Sequence, residues 1–381
     1  MYRLSVHLHL QETGKHDITR RIVVLLALAW FPVIGLAAVE GNLINTSLDV
    51  PLLHDVKFYT RYLVSLPMLL LAGAVVDPLV AATIVSFGES GVIDESNEGK
   101  FNEAVRNLNS RKESMVADVV IVGAILLIAL GVITFTDQQS PYGAFSNWLS
   151  FSDNGETRLT HAGWWYLMVS SPILMIVLFR WVWRYLIWCE FLFRVSRIKL
   201  RLEPTHPDLA GGLGILKIGG FAFIMVFLSF GSMVSAALAQ EILYTDSTLT
   251  QMQIVVLGYV IILLFVMKLP LFFFAAQLVK AKGLGRLVYG ALGYRLSQAF
   301  DEKWGRSVIR ESGGRLLEAT DSSTVCDYAD VYGAVRDMRI APIGLRDYLV
   351  QAAILALPFL PLVLTEISLT EMLNRLIGAL M

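Results

Sequence analysis

Residues 22–39 read IVVLLALAWFPVIGLAAV, a run without one charged side chain. A hydrocarbon core about 30 Å thick needs ~20 apolar residues in helical form, and charge-free stretches above ~18 are candidates for crossing it. The run therefore predicts a transmembrane helix. The twenty residues before it, MYRLSVHLHLQETGKHDITR, are polar with no apolar core of their own, so no cleavable leader is expected and targeting falls to the helix itself.

Working outward, stretches 119–136, 218–240 and 348–365 are equally free of charge. Three longer ones carry charges: 62–87 holds Asp77, 163–193 holds Arg180, Arg184 and Glu190, and 252–279 holds Lys268. Their Leu, Ile, Val and Phe content outweighs the ~2.5–3.5 kcal/mol insertion cost of one central charge. Seven spans result. Composition agrees, with 55% hydrophobic and 17% charged residues, against roughly 25% charged in soluble domains. A formal net charge of −1 gives no reason to expect nucleic acid. Cys189 and Cys326 lie in an apolar helix and a polar loop, so both are expected to stay reduced.

Direction follows from where Lys and Arg gather, because short loops rich in them stay cytoplasmic. Arg3, Lys15, Arg20 and Arg21 precede the first span; Lys100, Arg106, Arg111 and Lys112 follow the second; Arg194, Arg197, Lys199 and Arg201 follow the fourth; and a long basic run, 280–346, follows the sixth. The intervening loops hold only Lys57, Arg61 and Arg158. All seven spans then agree on a cytoplasmic N-terminus and an outer C-terminus, in a chain with the texture of a bacterial inner-membrane protein. Trp164, Trp165 and Tyr166, preceded by Tyr142, Phe145 and Trp148, predict an aromatic belt at the outer interface.

The expected fold is thus all-α: a polytopic transmembrane helical bundle of about seven spans with a small cytoplasmic helical segment. Residues 1–21 form a cytoplasmic tail, 22–281 a six-helix membrane region, 282–346 the cytoplasmic helical segment, and 347–381 the last span with an amphipathic tail. That tail has Leu369, Met372, Leu373, Leu376 and Leu380 at helical spacing, which suits an interfacial helix. Leu-Pro-Phe-Leu-Pro at 357–361 leaves open a re-entrant hairpin in place of the seventh crossing. Residues 102–115 read as a solvated helix or a mobile linker.

Three charges share one depth. Asp77, Arg180 and Lys268 each lie about 22–24 Å below the outer end of their stretch, at ~1.5 Å per residue. Pro78 and Pro270 adjoin two of them, and a proline frees the carbonyl four residues earlier, here Ala74 and Val266. These residues predict an ion or solute path through a charged inner-leaflet layer, with Asp77 paired first to Lys268 and second to Arg180. The alternative is that the two cations snorkel to the headgroups. Gly231, Ser235 and Ala239, four residues apart, form a small-residue face for helix packing within the chain or contact in a homo-oligomer. Gly211, Gly212 and Gly214, with Arg201 and Lys217 nearby, could offer free amides to an anion or lipid phosphate at the cytoplasmic face; a plain turn capped by Asp208 is the other reading.

Enzyme signatures are absent from the sequence: there is no GxSxG elbow, no HExxH and no CxxC. The six histidines (His7, His9, His16, His54, His161, His206) fall on both sides of the membrane, so neither a metal centre nor a cofactor is expected. Two functions fit: an oligomeric channel or transporter for an ion or small solute, or a non-conducting scaffold or sensor whose basic cytoplasmic segment docks a partner or anionic lipid. The topology is directly testable. Reporters fused after Ala104, Asp246 and Met381 are expected inside, outside and outside; an inside C-terminus would replace the seventh crossing by the hairpin.

Overall fold

The structure, a computed structural model, describes residues 15–112, 114–135, 146–153, 156–245, 247–305 and 320–363. Six helical rods are long and apolar enough to cross a bilayer: Ile22–Val39, Val56–Glu89, His161–Ser196, Leu216–Tyr244, Leu249–Gly305 and Leu345–Val363. A seventh helix, α5 below, is apolar over Met115–Ile128. The all-α membrane bundle read from the sequence is the architecture found.

Prolines break the rods into segments. The first is α1 (Lys15–Ala29) and α2 (Phe31–Val39), separated at Trp30 ahead of Pro32. The second opens with one turn, Val56–Tyr59, widens into a π-type turn over Thr60–Ser65, and continues as α3 (Leu66–Glu89) from Pro67. The polar helix α4 (Glu98–Lys112) and the apolar α5 (Met115–Phe135) follow. The third long rod repeats the pattern of the second, with His161–Trp165, a π-type turn over Tyr166–Ser170, and α6 (Ser171–Ser196) starting at Pro172. In both, the missing proline N–H removes one i→i−4 bond and the turn before it widens. Then come a short helix Leu216–Ala222, α7 (Ile224–Tyr244) and α8 (Leu249–Lys268). A 3₁₀ turn at Leu269–Phe274 around Pro270 leads into α9 (Ala275–Phe300), which pairs with α10 (Thr320–Asp337) outside the apolar region. The chain closes with α11 (Leu345–Ala356), a 3₁₀ turn Leu357–Phe359 and a helical turn Leu360–Val363. Leu-Pro-Phe-Leu-Pro thus interrupts the last rod without reversing it. The amphipathic tail expected after it lies outside the described residues.

In an apolar medium a carbonyl without a partner costs several kcal/mol. The third rod answers this with a row of donors. Trp165 Nε1 donates to the Leu28 carbonyl freed by Pro32 (3.1 Å), and Ser170 Oγ to Ala29 O (2.6 Å). Further along, Trp181 Nε1 donates to Leu69 O (2.8 Å) and Tyr185 Oη to the Val266 carbonyl freed by Pro270. Between α7 and the second rod, Ser65 and Ser229 exchange hydroxyl bonds to each other's carbonyls at 3.3 and 3.2 Å.

The two ends of the bundle differ, and the end that gathers lysine and arginine is called the basic side. On the far side Asp55 is buried, accepting from Trp148 Nε1 (2.9 Å) and the Phe58 amide (3.0 Å). Phe58, Tyr62, Trp148 and Tyr166 pack around it. Trp148 and Tyr166 are therefore core residues of a lid and not belt residues: the buried carboxylate of Asp55 draws Trp148 inward. Trp164 stays exposed as a belt residue would, and Tyr142 and Phe145 lie outside the described residues. A hairpin of Ser150–Asp153 and Glu156–Leu159 rims the lid, and Glu40 accepts from the His161 amide at 2.6 Å.

On the basic side α4 is a docked helix. Phe101, Ala104, Val105 and Leu108 are buried at i, i+3, i+4 and i+7, with Phe101 stacked on Phe87. This corrects the reading of 102–115 as solvated or mobile. A turn of residues 206–214 lies against Val92 and Met338. The Asp208 carboxylate accepts from the amides of Ala210 (2.7 Å), Gly212 (3.1 Å) and Gly214 (2.7 Å). Gly211 and Gly212 sit at φ +64° and +95°, a region side chains rarely adopt, and Val92 stands 2.9 Å from where a Gly212 Cβ would be. The turn also binds its neighbours: Arg339 N donates to Leu209 O (2.7 Å) and Glu203 N to Gly211 O (3.3 Å).

Burial alone would raise the Asp208 pKa, but the three amides and His206 together hold it below the ordinary carboxylate value. A carboxylate depressed in the folded state stabilises it above the unfolded value, ~3.9, and loses that contribution as pH falls through the lower folded value. Asp208→Asn is therefore expected to melt below wild type at pH 7 in detergent. The gap should narrow as pH drops below about 4. A gap that is constant with pH would remove the carboxylate from this role.

Candidate functional site

Each rod with a charged residue begins earlier than its apolar stretch suggests, and this moves the charges. From Val56, Asp77 lies about 31 Å down the helix; from His161, Arg180 lies about 28 Å down; from Leu249, Lys268 also lies about 28 Å down. The three charges thus fall 19–21 residues along their rods, and a ~30 Å core that began at the rod starts would have its basic boundary at these residues.

At that boundary the three charges take separate partners. Asp77 Oδ1 meets Arg184 of α6 and Lys112 of α4, the latter at 3.0 Å. Arg180 pairs with Asp118 at the start of α5, at 3.4 Å. Lys268 is buried over the ring of Tyr348, 5.6 Å from its centroid, next to an ion pair of Lys217 and Asp347 at 3.1 Å. The expected pairing of Asp77 with Lys268, or with Arg180, is thus corrected. Asp77 sits where long cations from the neighbouring helix and from the basic side both reach it.

A second network fixes α4 to α6. Glu190 accepts from Arg111 and from Arg194, the latter at 2.8 Å, while Trp183 Nε1 donates to the Arg111 carbonyl at 3.1 Å. Lys112, Asp118 and Glu190 are participants the sequence reading did not single out. Lys112 and Asp118 showed as alternating charge at 106–118 and Glu190 as an acid in the 163–193 stretch, but nothing local tells which distant helix each residue meets.

The other candidate sets resolve differently. Gly231 faces Pro358 (3.2 Å from its would-be Cβ) and Tyr259 of the same chain, Ser235 is buried, and Ala239 packs at the edge of the core. Gly231 is thus taken up by packing of α7 on α8 and the last rod, the within-chain alternative for that face. Gly211, Gly212 and Gly214 offer no shared free amides, because Asp208 takes those of Gly212 and Gly214. Lys217 turns to Asp347, and Arg201 to Glu203 at 3.5 Å. The proposed phosphate site is therefore not gathered: an internal carboxylate occupies the turn.

Compared with protein-family models, curated proteins and solved structures, the chain matches none.

The corrected pairing makes a quantitative prediction. Asp77 and Arg184 are partly exposed, and such ion pairs are worth about 1 kcal/mol or less. A double-mutant cycle of Asp77→Asn with Arg184→Gln, read by thermal unfolding in detergent, should give a coupling of ~0.5–1 kcal/mol. The parallel cycle with Lys268→Met should give none. Coupling to Lys268 in place of Arg184 would restore the original pairing.

Proposed function

We propose that this integral membrane protein is a non-conducting scaffold or sensor of the bacterial inner membrane, its N-terminus cytoplasmic, holding a structured basic-side layer in place. One observation carries the reading: Asp77, the acid best placed to line a path, is closed by Arg184 and Lys112 at the membrane boundary. Ser65 with Ser229, and Tyr185 with Val266 O, are engaged within the chain. On the basic side α4 docks on α6, and the 206–214 turn meets the end of the α9–α10 hairpin through Leu209 and Arg339, which suits a docking platform. Alternation of lysine and arginine between loops supports the orientation.

A channel or transporter is the second reading, favoured by buried Lys268 beside the Lys217–Asp347 pair. Buried cations in membrane proteins commonly mark ion or proton routes. Flux through purified proteoliposomes separates the two. Potassium, chloride and proton fluxes are expected to equal those of empty vesicles. A flux above that background which Lys268→Met abolishes would overturn the scaffold reading in favour of conduction.

A further inference from the structure

The rod Leu249–Gly305 has 57 residues, about 85 Å of helix, nearly three times a bilayer core. It continues through the 3₁₀ turn at Leu269–Phe274 into α9, where Gln277 Nε2 donates to the carbonyls of Ser196 (2.6 Å) and Ile198 (2.9 Å) at the basic-side end of α6. A ~30 Å core that began at Leu249 would end near Lys268, and Leu284 to Leu292 fall about 24–36 Å of helix beyond it. The headgroup layer takes up only about 5–8 Å of that distance. This part of α9 therefore stands in water, where lipid does not cover apolar side chains.

One face of α9 is packed within the chain. Gly285 sits against Pro204 and Val335, Gly293 against the Tyr328 ring, and Lys282 Nζ donates to Met338 O. Leu284, Val288 and Leu292, at i, i+4 and i+8, form an apolar stripe that stays open, Leu292 at 50% and Val288 at 62% exposure. Turning each helix by ~100° per residue from its packed face sets this stripe and Arg295, with Asp327 and Val331 of α10, on one flank of the hairpin. All six are exposed. Monomeric soluble surfaces seldom leave such a patch open.

Charge identifies what covers it. α9 carries Lys280, Lys282, Arg286 and Arg295 and no acid, whereas α10 carries four aspartates against one arginine. Neither Arg295 nor Asp327 has an ion-pair partner among the described residues. Because Gly293 meets Tyr328, Arg295 (two residues on) and Asp327 (one residue earlier on the antiparallel helix) lie at the same height to within about 1.5 Å. Two copies inserted in the same direction can pair about a two-fold axis along the membrane normal, which preserves height. Flank then meets flank, and α9 of each copy lies antiparallel to α10 of the other. Pairing α9 with α9 would instead set cations against their own kind.

We propose that the α9–α10 hairpins of two copies pair flank to flank into a four-helix bundle on the basic side, matching Arg295 of each copy with Asp327 of the other. Leu284, Val288, Leu292 and Val331 fill the centre of the contact. Leu287 and Asp330 turn to the outer sides of the hairpin and remain outside it. The inference rests on the membrane direction of the rods and not on the scaffold reading.

The test uses the full chain. Arg295→Glu and Asp327→Arg, each expressed alone, place like charges together twice per dimer and should weaken self-association in detergent about tenfold by mass photometry. Asp330→Arg should leave it unchanged. Co-expressed under two tags, the Arg295→Glu and Asp327→Arg chains match both contacts only with each other, so mixed dimers should exceed the statistical half. No rearrangement within one chain produces that preference. In membranes, on a Cys189→Ala, Cys326→Ser background, Arg295→Cys in one chain should form a disulfide with Asp327→Cys in the other on oxidation, and Leu287→Cys should not. A monomeric wild type, which makes another protein the cover, overturns the proposal. So does random mixing of the two charge-reversed chains, or a Leu287→Cys cross-link equal to that of Arg295→Cys.

Discussion

A backbone carbonyl released inside hydrocarbon must find a donor, and this bundle supplies donors mainly from one rod. Pro32 and Pro270 free the carbonyls of Leu28 and Val266, and Trp165 and Tyr185, both on His161–Ser196, reach them. Ser170 and Trp181 add bonds to the carbonyls of Ala29 and Leu69, which no proline releases. An interhelical bond in a membrane is worth only ~0.6 kcal/mol on average, but an orphaned carbonyl there costs several. The asymmetry decides the design. The donor row does not glue the bundle so much as permit the proline breaks in the first and fifth rods.

The same accounting explains where the charges end up. A carboxylate left alone in the core is expensive, and Asp77 lies 21 residues along the rod that begins at Val56. There Arg184 and Lys112 are long enough to meet it. Arg180 reaches the boundary likewise and takes Asp118. Lys268 is the enclosed member of the three, and it lies against Tyr348 beside an ion pair whose acid, Asp347, also caps the start of α11 through the Gly344 amide (2.7 Å). The boundary charges thus double as fasteners between apolar rods and the polar helix α4.

How much of this was legible follows from the kind of signal each feature leaves. Charge-free runs such as 22–39 and 218–240 announce spans because only the bilayer calls for them. The outer beginnings of the second and third rods were hidden, since Lys57, Arg61 and His161 make those turns look like loop, and the misplaced origin carried Asp77 inward by six residues. The α4 face (Phe101, Ala104, Val105, Leu108) was written in the sequence at helical spacing, but it forms no continuous apolar run. The glycines at 211–214 were visible as a site for an anion. The anion turned out to be Asp208, six residues before Gly214 in the chain. Partners such as Lys112 for Asp77 depend on how α4 docks on α6, which no local pattern encodes.

The least conspicuous element then has the widest reach. A 3₁₀ helix turns ~120° per residue and an α-helix ~100°. The six residues Leu269–Phe274 therefore rotate all that follows by roughly 120° relative to an unbroken α-helix. With Gln277 anchored to α6 and Gly285 against Pro204, that rotation sets which side of α9 meets α10 and which side stays open. An unbroken helix would swing Leu284 and Val288 away from the direction they now face. The apolar stripe would then lose its orientation, and Gly285 and Gly293 their close approach to Pro204 and Tyr328. Pro270 thus links two consequences: the carbonyl it releases is met by Tyr185 inside the bundle, and the turn it forces aims the basic, apolar face of α9 outside it.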